Sequence, residues 1–143
     1  MAGWGKVSSA VWTGDKSGVA IQGFLKGALA KTVGEHPDVS SWYAYFINNV
    51  VLPHATFFSY LVAYGELLVG IALILGVFTG IAAFSGALMN FNFLSAGAVS
   101  VNPLLLIIAI FLVLAWRVAG WYGADRFLLP RIGVPWSRGT FFK

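Results

Sequence analysis

One long stretch of this chain is almost free of charge. Between Val39 and Trp116, a stretch of 78 residues, the only Asp, Glu, Lys or Arg is Glu66. A surface so poor in charge would aggregate in water, because large exposed apolar patches associate with one another. Over the whole chain 59% of the residues are hydrophobic and only 10% are charged, whereas an average soluble domain has about 25% charged residues. The sequence therefore predicts an integral membrane protein.

Three apolar runs have lengths close to that of a transmembrane helix, which needs about 20 residues to cross a hydrocarbon core of about 30 Å. They lie at residues 57–75, 79–94 and 102–119. Gly76 and Gly80 allow a tight turn between the first two runs, and Asn102 followed by Pro103 predicts an N-cap and first turn for the third. The predicted fold is an all-α integral membrane bundle with three transmembrane helices.

The segment before these runs, residues 1–56, is more polar and contains two shorter helical patterns. Apolar residues recur at helical spacing over residues 19–29, and Gly34 can end that helix. A second short helix is predicted after Ser40, which can cap it, and ends at Pro53. Aromatic rings in this second helix suit the boundary between membrane and water. We therefore expect one or two short interfacial helices on the outer surface.

The chain shows no repeat or linker that would divide it, so residues 1–143 are expected to form one domain. The three spans occupy residues 57–120, and residues 121–143 form a basic tail. From the end of the third span onward, five basic residues face the single acid Asp125: Arg117, Arg126, Arg131, Arg138 and Lys143. Cytoplasmic segments of membrane proteins are enriched in Lys and Arg, which predicts a multi-pass protein with a cytoplasmic C-terminus.

The residue types that are missing exclude several functions. Without Cys the chain has no disulfide relay, iron–sulfur cluster or thiolate metal site. His36 and His54 are the only imidazoles and both precede the first span, which disfavours a haem held between two helices. No metal site and no nucleic-acid surface are predicted. Any redox function would depend on a mobile quinone or on a partner subunit.

Glu66 is the candidate catalytic residue. It lies about ten residues into the first span, near the bilayer midplane, where an unpartnered carboxylate costs several kcal/mol. We therefore expect it to face the interior of the bundle and to be protonated or hydrogen-bonded. It would act as a proton acceptor or hydrogen-bond partner for a quinone, or, alternatively, form an interhelical hydrogen bond that fixes packing.

Four further polar residues have both a binding and a structural interpretation. Asn90 and Asn92 could bind a quinone carbonyl, but Gly86 and Asn90 share a face whose small residues equally predict helix packing. His54 could shuttle protons or cap the first span, and it lies about 18 Å along the helix from Glu66. Arg117 fits an interface anchor, a polar entrance for a quinone headgroup, or a site for an anionic lipid.

Five segments, taken in order, resemble the DoxX/DoxD family of small membrane proteins. They are Ala2-Gly-Trp-Gly-Lys6, Gly23-Phe-Leu-Lys-Gly-Ala-Leu-Ala30, Tyr64-Gly-Glu-Leu-Leu-Val-Gly-Ile-Ala-Leu-Ile-Leu-Gly76, Gly86-Ala-Leu-Met-Asn-Phe-Asn92 and Tyr122-Gly-Ala-Asp-Arg126. The resemblance covers nearly the whole chain. It implies a four-helix bundle with both termini inside and a Glu at the position of Glu66. Some members resemble the membrane subunit of a thiosulfate:quinone oxidoreductase.

The resemblance implies a membrane subunit of a quinone-linked oxidoreductase in a prokaryotic plasma membrane, which needs partner subunits to supply electrons. The alternative is a non-catalytic accessory subunit that stabilises a larger membrane complex and binds lipid. The family's first helix normally precedes the segment that ends at Lys6, so one helix is expected to be missing, through a misplaced start codon or a natural truncation. Lys6 would then snorkel at the outer end of that helix as a further cofactor-binding candidate.

Overall fold

Short N-terminal helices precede three long apolar helices, and short elements follow them. The computed structural model describes residues 2–134 and 137–138. The first helices are α1 (Ala2–Val7), α2 (Ala10–Thr13), α3 (Val19–Leu29) and α4 (Ser41–Phe46). The long helices are α5 (Ala55–Leu75), α6 (Thr79–Ser95) and α7 (Asn102–Leu114). After them come α8 (Trp116–Ala119), α9 (Asp125–Ile132) and the antiparallel pair β1 (Gly133–Val134) and β2 (Ser137–Arg138). Residues 135–136 and 139–143 of the predicted tail lie outside the described ranges.

The predicted helical class is confirmed, and two of the three predicted long helices have nearly the predicted bounds. Helix α5 has 21 residues and α6 has 17. Among the described residues, α5 is the one helix long and apolar enough to cross a membrane by length and composition. Helix α7 is apolar but has only 13 residues. Three complete spans therefore stay a prediction.

The third predicted helix differs from the expectation at both ends. Asn102 is its first helical residue and Val101 takes the N-cap position, while the Asn102 side chain donates back to the carbonyl of Ala98 at 2.6 Å. At the other end the helix breaks at Ala115, so residues 116–119 form the separate helix α8. The break places Trp116 against α6 at Gly80, where an added Cβ would lie 2.8 Å from the Trp116 Cβ.

Helices α3 and α4 pack their apolar residues against the start of α5 and the end of α6. Helix α3 ends earlier than predicted, because a 3₁₀ turn at Ala30–Thr32 replaces its last predicted turn before Gly34. Helix α4 starts after Ser40 as predicted and continues as a π-helical turn, Ile47–Val51, that ends before Pro53. These elements share one core cluster of Ile21, Leu25, Ala28, Val39, Tyr43, Ile47, Val51, Ala55 and Ala96.

The long helices present an apolar outer surface. The most apolar window of α5 is only 11% buried, whereas the core helix of a soluble protein is mostly buried. Ile74 is 85% exposed on α5, and Leu114 is 75% exposed on α7. Similar exposed side chains on the three helices include Phe57, Leu61, Leu68, Ile81, Phe84, Leu104 and Phe111. Such a surface is suited to contact with lipid chains and not with water.

A carboxylate from the C-terminal segment closes the turn between α5 and α6. Asp125 is buried, and its two oxygens accept hydrogen bonds from the backbone amides of Phe78 at 2.6 Å and Thr79 at 2.8 Å. The amides of Ala124 and Asp125 in turn donate to the carbonyls of Leu75 and Gly76. Asp125 therefore caps α6 from a segment 46 residues further along the chain.

Replacing Asp125 by Ala should weaken this turn. The amides of Phe78 and Thr79 would lose their acceptor, and we expect the free energy of unfolding to fall by about 2 kcal/mol. Thermal or denaturant unfolding of the purified protein in a mild neutral detergent measures this change. Asp15→Ala, which removes an exposed carboxylate between α2 and α3, is the matched control. Equal losses in the two variants would contradict the capping interpretation.

Candidate functional site at the Lys6–Glu66 ion pair

Helix α1 lies directly on the middle of α5 because Gly3 has no side chain. A Cβ at Gly3 would lie 2.7 Å from the amide nitrogen of Leu67 and 3.1 Å from the carbonyl carbon of Glu66. Contacts this short leave no room for any other residue unless the backbones move apart. Lys6 follows Gly3 by about one helical turn, so the same approach carries its side chain to Glu66.

Lys6 and Glu66 form an ion pair. The Lys6 ammonium donates a hydrogen bond to Glu66 Oε1, and the two side chains are only 22% and 18% exposed. The expectation that Glu66 is hydrogen-bonded is confirmed. The expectation that Lys6 snorkels to the outer surface is wrong, because α1 packs along α5 and turns the ammonium toward the carboxylate.

Two aromatic rings lie beside the ammonium. Lys6 Nζ is 4.8 Å from the centroid of the Trp12 ring and 5.4 Å from that of Phe93, both within the range of a cation–π interaction. Trp12 is positioned from α5, because Ser59 Oγ donates to the Trp12 carbonyl at 2.6 Å. The site therefore combines α1, α2, α5 and α6.

The second oxygen of the carboxylate has no hydrogen-bond partner in the part of the chain that the structure describes. Glu66 Oε2 is buried and accepts no hydrogen bond from the described residues. Leaving a buried acceptor unsatisfied is unfavourable, and such atoms in folded proteins call for an explanation. Oε2 is thus the atom of this site that has capacity left to accept a proton or a hydrogen bond.

Asn90 is close to this region, but its amide donor is engaged within its own helix. Helices α5 and α6 approach each other where Gly65 meets the Met89 side chain and Gly86 meets that of Val69. The Asn90 Nδ2 donates to the Gly86 carbonyl at 2.8 Å. The small residue at position 86 therefore contributes to helix packing, as its spacing predicted.

Asn92 ties α6 to α4. The Tyr43 hydroxyl lies 2.9 Å from the Asn92 carbonyl and 3.1 Å from its Oδ1 and donates to these acceptors. Asn92 Nδ2 donates to the Leu88 carbonyl. Burial raises the pKa of Tyr43 to about 12, so the phenol keeps the proton that it donates. Sequence reasoning placed Tyr43 at the membrane boundary and missed this contact, because no local pattern pairs residues 49 positions apart.

The structure does not bring His54 or Arg117 to the ion pair. His54 occupies the N-cap position of α5, but its side chain makes no hydrogen bond that caps this helix; its Nδ1 is instead 2.9 Å from the Val50 carbonyl. It precedes Glu66 by twelve residues of the same helix. Arg117 lies in α8 with its guanidinium 5.6 Å from the Trp116 ring centroid, beside the start of α6. Of the predicted site residues, the structure therefore joins Lys6 and Glu66.

The exposed apolar helices and the enclosed ion pair define a small helical membrane protein. A family model described as DoxX matches residues 2–99, and the chain belongs to this family of membrane proteins. The matched range includes both Lys6 and Glu66. No curated protein and no solved structure matches the chain.

The close approach of α1 can be tested with two glycines of the same short helix. Gly3→Ala should lower the free energy of unfolding by about 1–3 kcal/mol, since the new Cβ forces the backbones apart. Gly5 has open space around it, so Gly5→Ala should be neutral or stabilise by up to about 1 kcal/mol. Thermal unfolding measures both, and trypsin should cleave after Lys6 faster in Gly3→Ala alone. Equal behaviour of the two variants would refute the packing argument.

The Tyr43 contact predicts a specific dependence on alkaline pH. The folded pKa of about 12 lies above the ordinary value of 10.0, so the stabilisation is fully present below pH 10.0 and is lost as pH rises through about 12. Tyr43→Phe should be less stable than the wild type by about 1 kcal/mol near neutral pH, and this difference should shrink above pH 10.0.

Unfolding of both proteins at about pH 8 and about pH 11 measures this difference. Tyr45→Phe is the control, because Tyr45 is a nearby tyrosine whose side chain is exposed. A difference between wild type and Tyr43→Phe that stays constant over this pH range would count against the buried phenol.

Proposed function

We propose that the Lys6–Glu66 pair binds a quinone headgroup and handles its protons, and that the chain is a membrane subunit of a quinone-linked oxidoreductase. The observation that carries this proposal is that the buried Glu66 Oε2 accepts no hydrogen bond from any described residue, in a site that also contains an ammonium and two aromatic rings. Family membership supports the membrane setting. The oxidoreductase function is our inference from the site and does not follow from family membership alone.

The donor and acceptor set of the site fits such a headgroup. The Lys6 ammonium has three donors, of which one is directed to Glu66, and its remaining donors suit a quinone carbonyl oxygen. Glu66 Oε2 suits the hydroxyl of the reduced form. Trp12 and Phe93 supply apolar surface for a flat ring. A bound quinone would supply the two-electron, two-proton chemistry that the side chains of this chain do not provide.

The chain's own residues would then position the headgroup and transfer protons. Lys6 would orient a carbonyl oxygen and stabilise negative charge on it, and Glu66 would give or take a proton at Oε2. Their partial burial strengthens both effects, because charges interact more strongly at low effective dielectric constant. Electrons would pass to or from a partner subunit whose redox group exchanges them with the quinone, with thiosulfate as one candidate donor.

The membrane topology forms part of the same proposal. Glu66 is near the middle of α5 (Ala55–Leu75), so a spanning α5 puts the ion pair close to the bilayer midplane. Helices α6 and α7 would complete two further passes with help from neighbouring elements. The exposed Arg117, Arg126 and Arg131 follow α7 and favour the cytoplasmic side of a plasma membrane for the C-terminal end.

A second candidate function is that of an accessory subunit. The observation that favours it is the close packing of α1 on α5 at Gly3. An ion pair beside such a contact can hold the two helices together without any further role. In that case Glu66 would be a packing residue, and the exposed apolar faces of the long helices would contact lipid and a larger membrane complex.

Charge-neutralising variants separate these two functions. Glu66→Gln should lower thiosulfate-dependent reduction of a short-chain ubiquinone analogue in membranes by about 10²-fold, a usual loss for a proton-transferring residue. It should also lower the amount of quinone that copurifies with the complex. Glu35→Gln, which changes an exposed acid in the loop before α4, should leave both measurements unchanged.

Glu66→Gln alone leaves the Lys6 charge without its partner and can therefore destabilise the fold. The double variant Lys6→Met with Glu66→Gln removes both charges and should recover the wild-type melting temperature while turnover stays low. Recovery of quinone content and turnover together with stability would overturn the quinone proposal. Reduced recovery of the complex with unchanged turnover per complex would support the accessory function.

A further inference from the structure

A partly open cavity lies at the far end of α5 from the N-terminal helices. A cavity of about 500 Å³ opens between the start of α6, the end of α7 and the helix α9. Its size is within the range of about 300–1,000 Å³ that is usual for small-molecule sites. The residues that line it include Phe78, Ile81, Phe84, Val113, Trp116 and Leu129. None of the residues of the Lys6–Glu66 site lines this cavity.

The wall of this cavity is almost entirely apolar. Among the side chains that the structure describes, the one charged group in the wall is that of Asp125, whose two carboxylate oxygens already accept hydrogen bonds from the amides of Phe78 and Thr79. Asp125 is only 3% exposed, so it offers little charge to an occupant. The wall also contains the buried Thr79 hydroxyl, which has no hydrogen-bond partner among the described residues. The rest of the wall favours a hydrocarbon group as the occupant.

Positively charged residues lie on two of the helices that line the cavity. Arg117, Arg126 and Arg131 are exposed on α8 and α9, the two helices that supply Trp116 and Leu129 to the wall. The one acid in residues 117–133 is Asp125, and its charge is directed inward to the start of α6. We call these three arginines the rim: they belong to helices that supply part of the wall but are not themselves lining residues, and no other acid in residues 117–133 offsets their charge.

Aromatic side chains accompany these arginines. The Arg126 guanidinium lies 5.3 Å from the centroid of Trp121 and 5.9 Å from that of Phe127. A guanidinium stacked on rings keeps its N–H edge free for an anion. Trp121 and Tyr122 are exposed, as is typical of residues at the level of lipid headgroups.

We propose that this cavity holds an acyl chain of an anionic phospholipid, whose phosphate group binds to Arg117, Arg126 and Arg131. The apolar wall selects the hydrocarbon chain, and the arginine rim selects a headgroup with net negative charge. The lipid would contact α9, the start of α6 and the end of α7 together. The chain belongs to a family of membrane proteins, so phospholipids surround it.

Native mass spectrometry of the purified full chain in a neutral detergent tests the proposal. We expect dioleoyl phosphatidylglycerol to bind about tenfold more tightly than dioleoyl phosphatidylcholine, which has the same acyl chains without net charge. Inorganic phosphate at matched concentration should not displace the lipid, since it cannot fill the cavity. Equal affinity for the two lipids, or displacement by phosphate, would overturn the proposal.

Variants of the wall and the rim test the two halves of the site separately. Val113→Trp should fill the cavity and lower phosphatidylglycerol binding about tenfold, whereas Val118→Trp on the exposed side of α8 should not. Arg126→Gln should weaken binding about fivefold, and the exposed Lys26→Gln on α3 should have no effect.

Arg126→Gln leaves the packed interior unchanged, so its result decides the outcome if Val113→Trp fails to fold. Unchanged phosphatidylglycerol binding in Arg126→Gln would refute the arginine rim. A neutral quinone that competes with phosphatidylglycerol, and whose binding does not depend on Arg126, would show that the cavity takes a different apolar ligand.

Discussion

A carboxylate in the middle of an apolar helix must be paired, and the N-terminal half of this molecule is arranged around that requirement. Glu66 is paired by Lys6 from a helix that can approach because Gly3 leaves the backbone of α5 uncovered. The same ammonium lies against the Trp12 ring, whose carbonyl accepts a hydrogen bond from Ser59. One ionic interaction thus sets the positions of α1 and α2 along α5, and with them the walls of the proposed headgroup site.

The other end of α5 follows a similar rule with different chemistry. Residues 39–143 contain two acids, Glu66 and Asp125, and each is bound by groups distant in sequence. Glu66 receives an ammonium, whereas Asp125 receives two backbone amides at the start of α6. Neither carboxylate faces the outer surface, where the side chains of the long helices are apolar. Both acids therefore determine how helices join. Within the described ranges, Glu66 is the one of the two whose carboxylate has an oxygen without a hydrogen-bond partner.

Local sequence patterns predict the helical class, the bounds of α5 and α6 and the need of Glu66 for a partner, because these follow from hydropathy and from the cost of a buried charge. They do not identify Lys6 as that partner, since the pairing depends on a close approach between helices whose residues are 60 positions apart. Nor do they identify Asp125 as the cap of α6, because a capping side chain is usually next to its helix in sequence. The break at Ala115 was also missed, because residues 102–119 form one continuous apolar pattern.

The cap on α6 also has a consequence for the order in which the chain can be completed. The turn between α5 and α6 leaves the ribosome well before Asp125, which follows Thr79 by 46 residues. Synthesis proceeds from the N-terminus. The hairpin of α5 and α6 therefore leaves the ribosome while the amides at the start of α6 are still uncapped. Its final geometry is reached only when residues 120–125 arrive, so a segment made after all three long helices closes the turn between the first two of them.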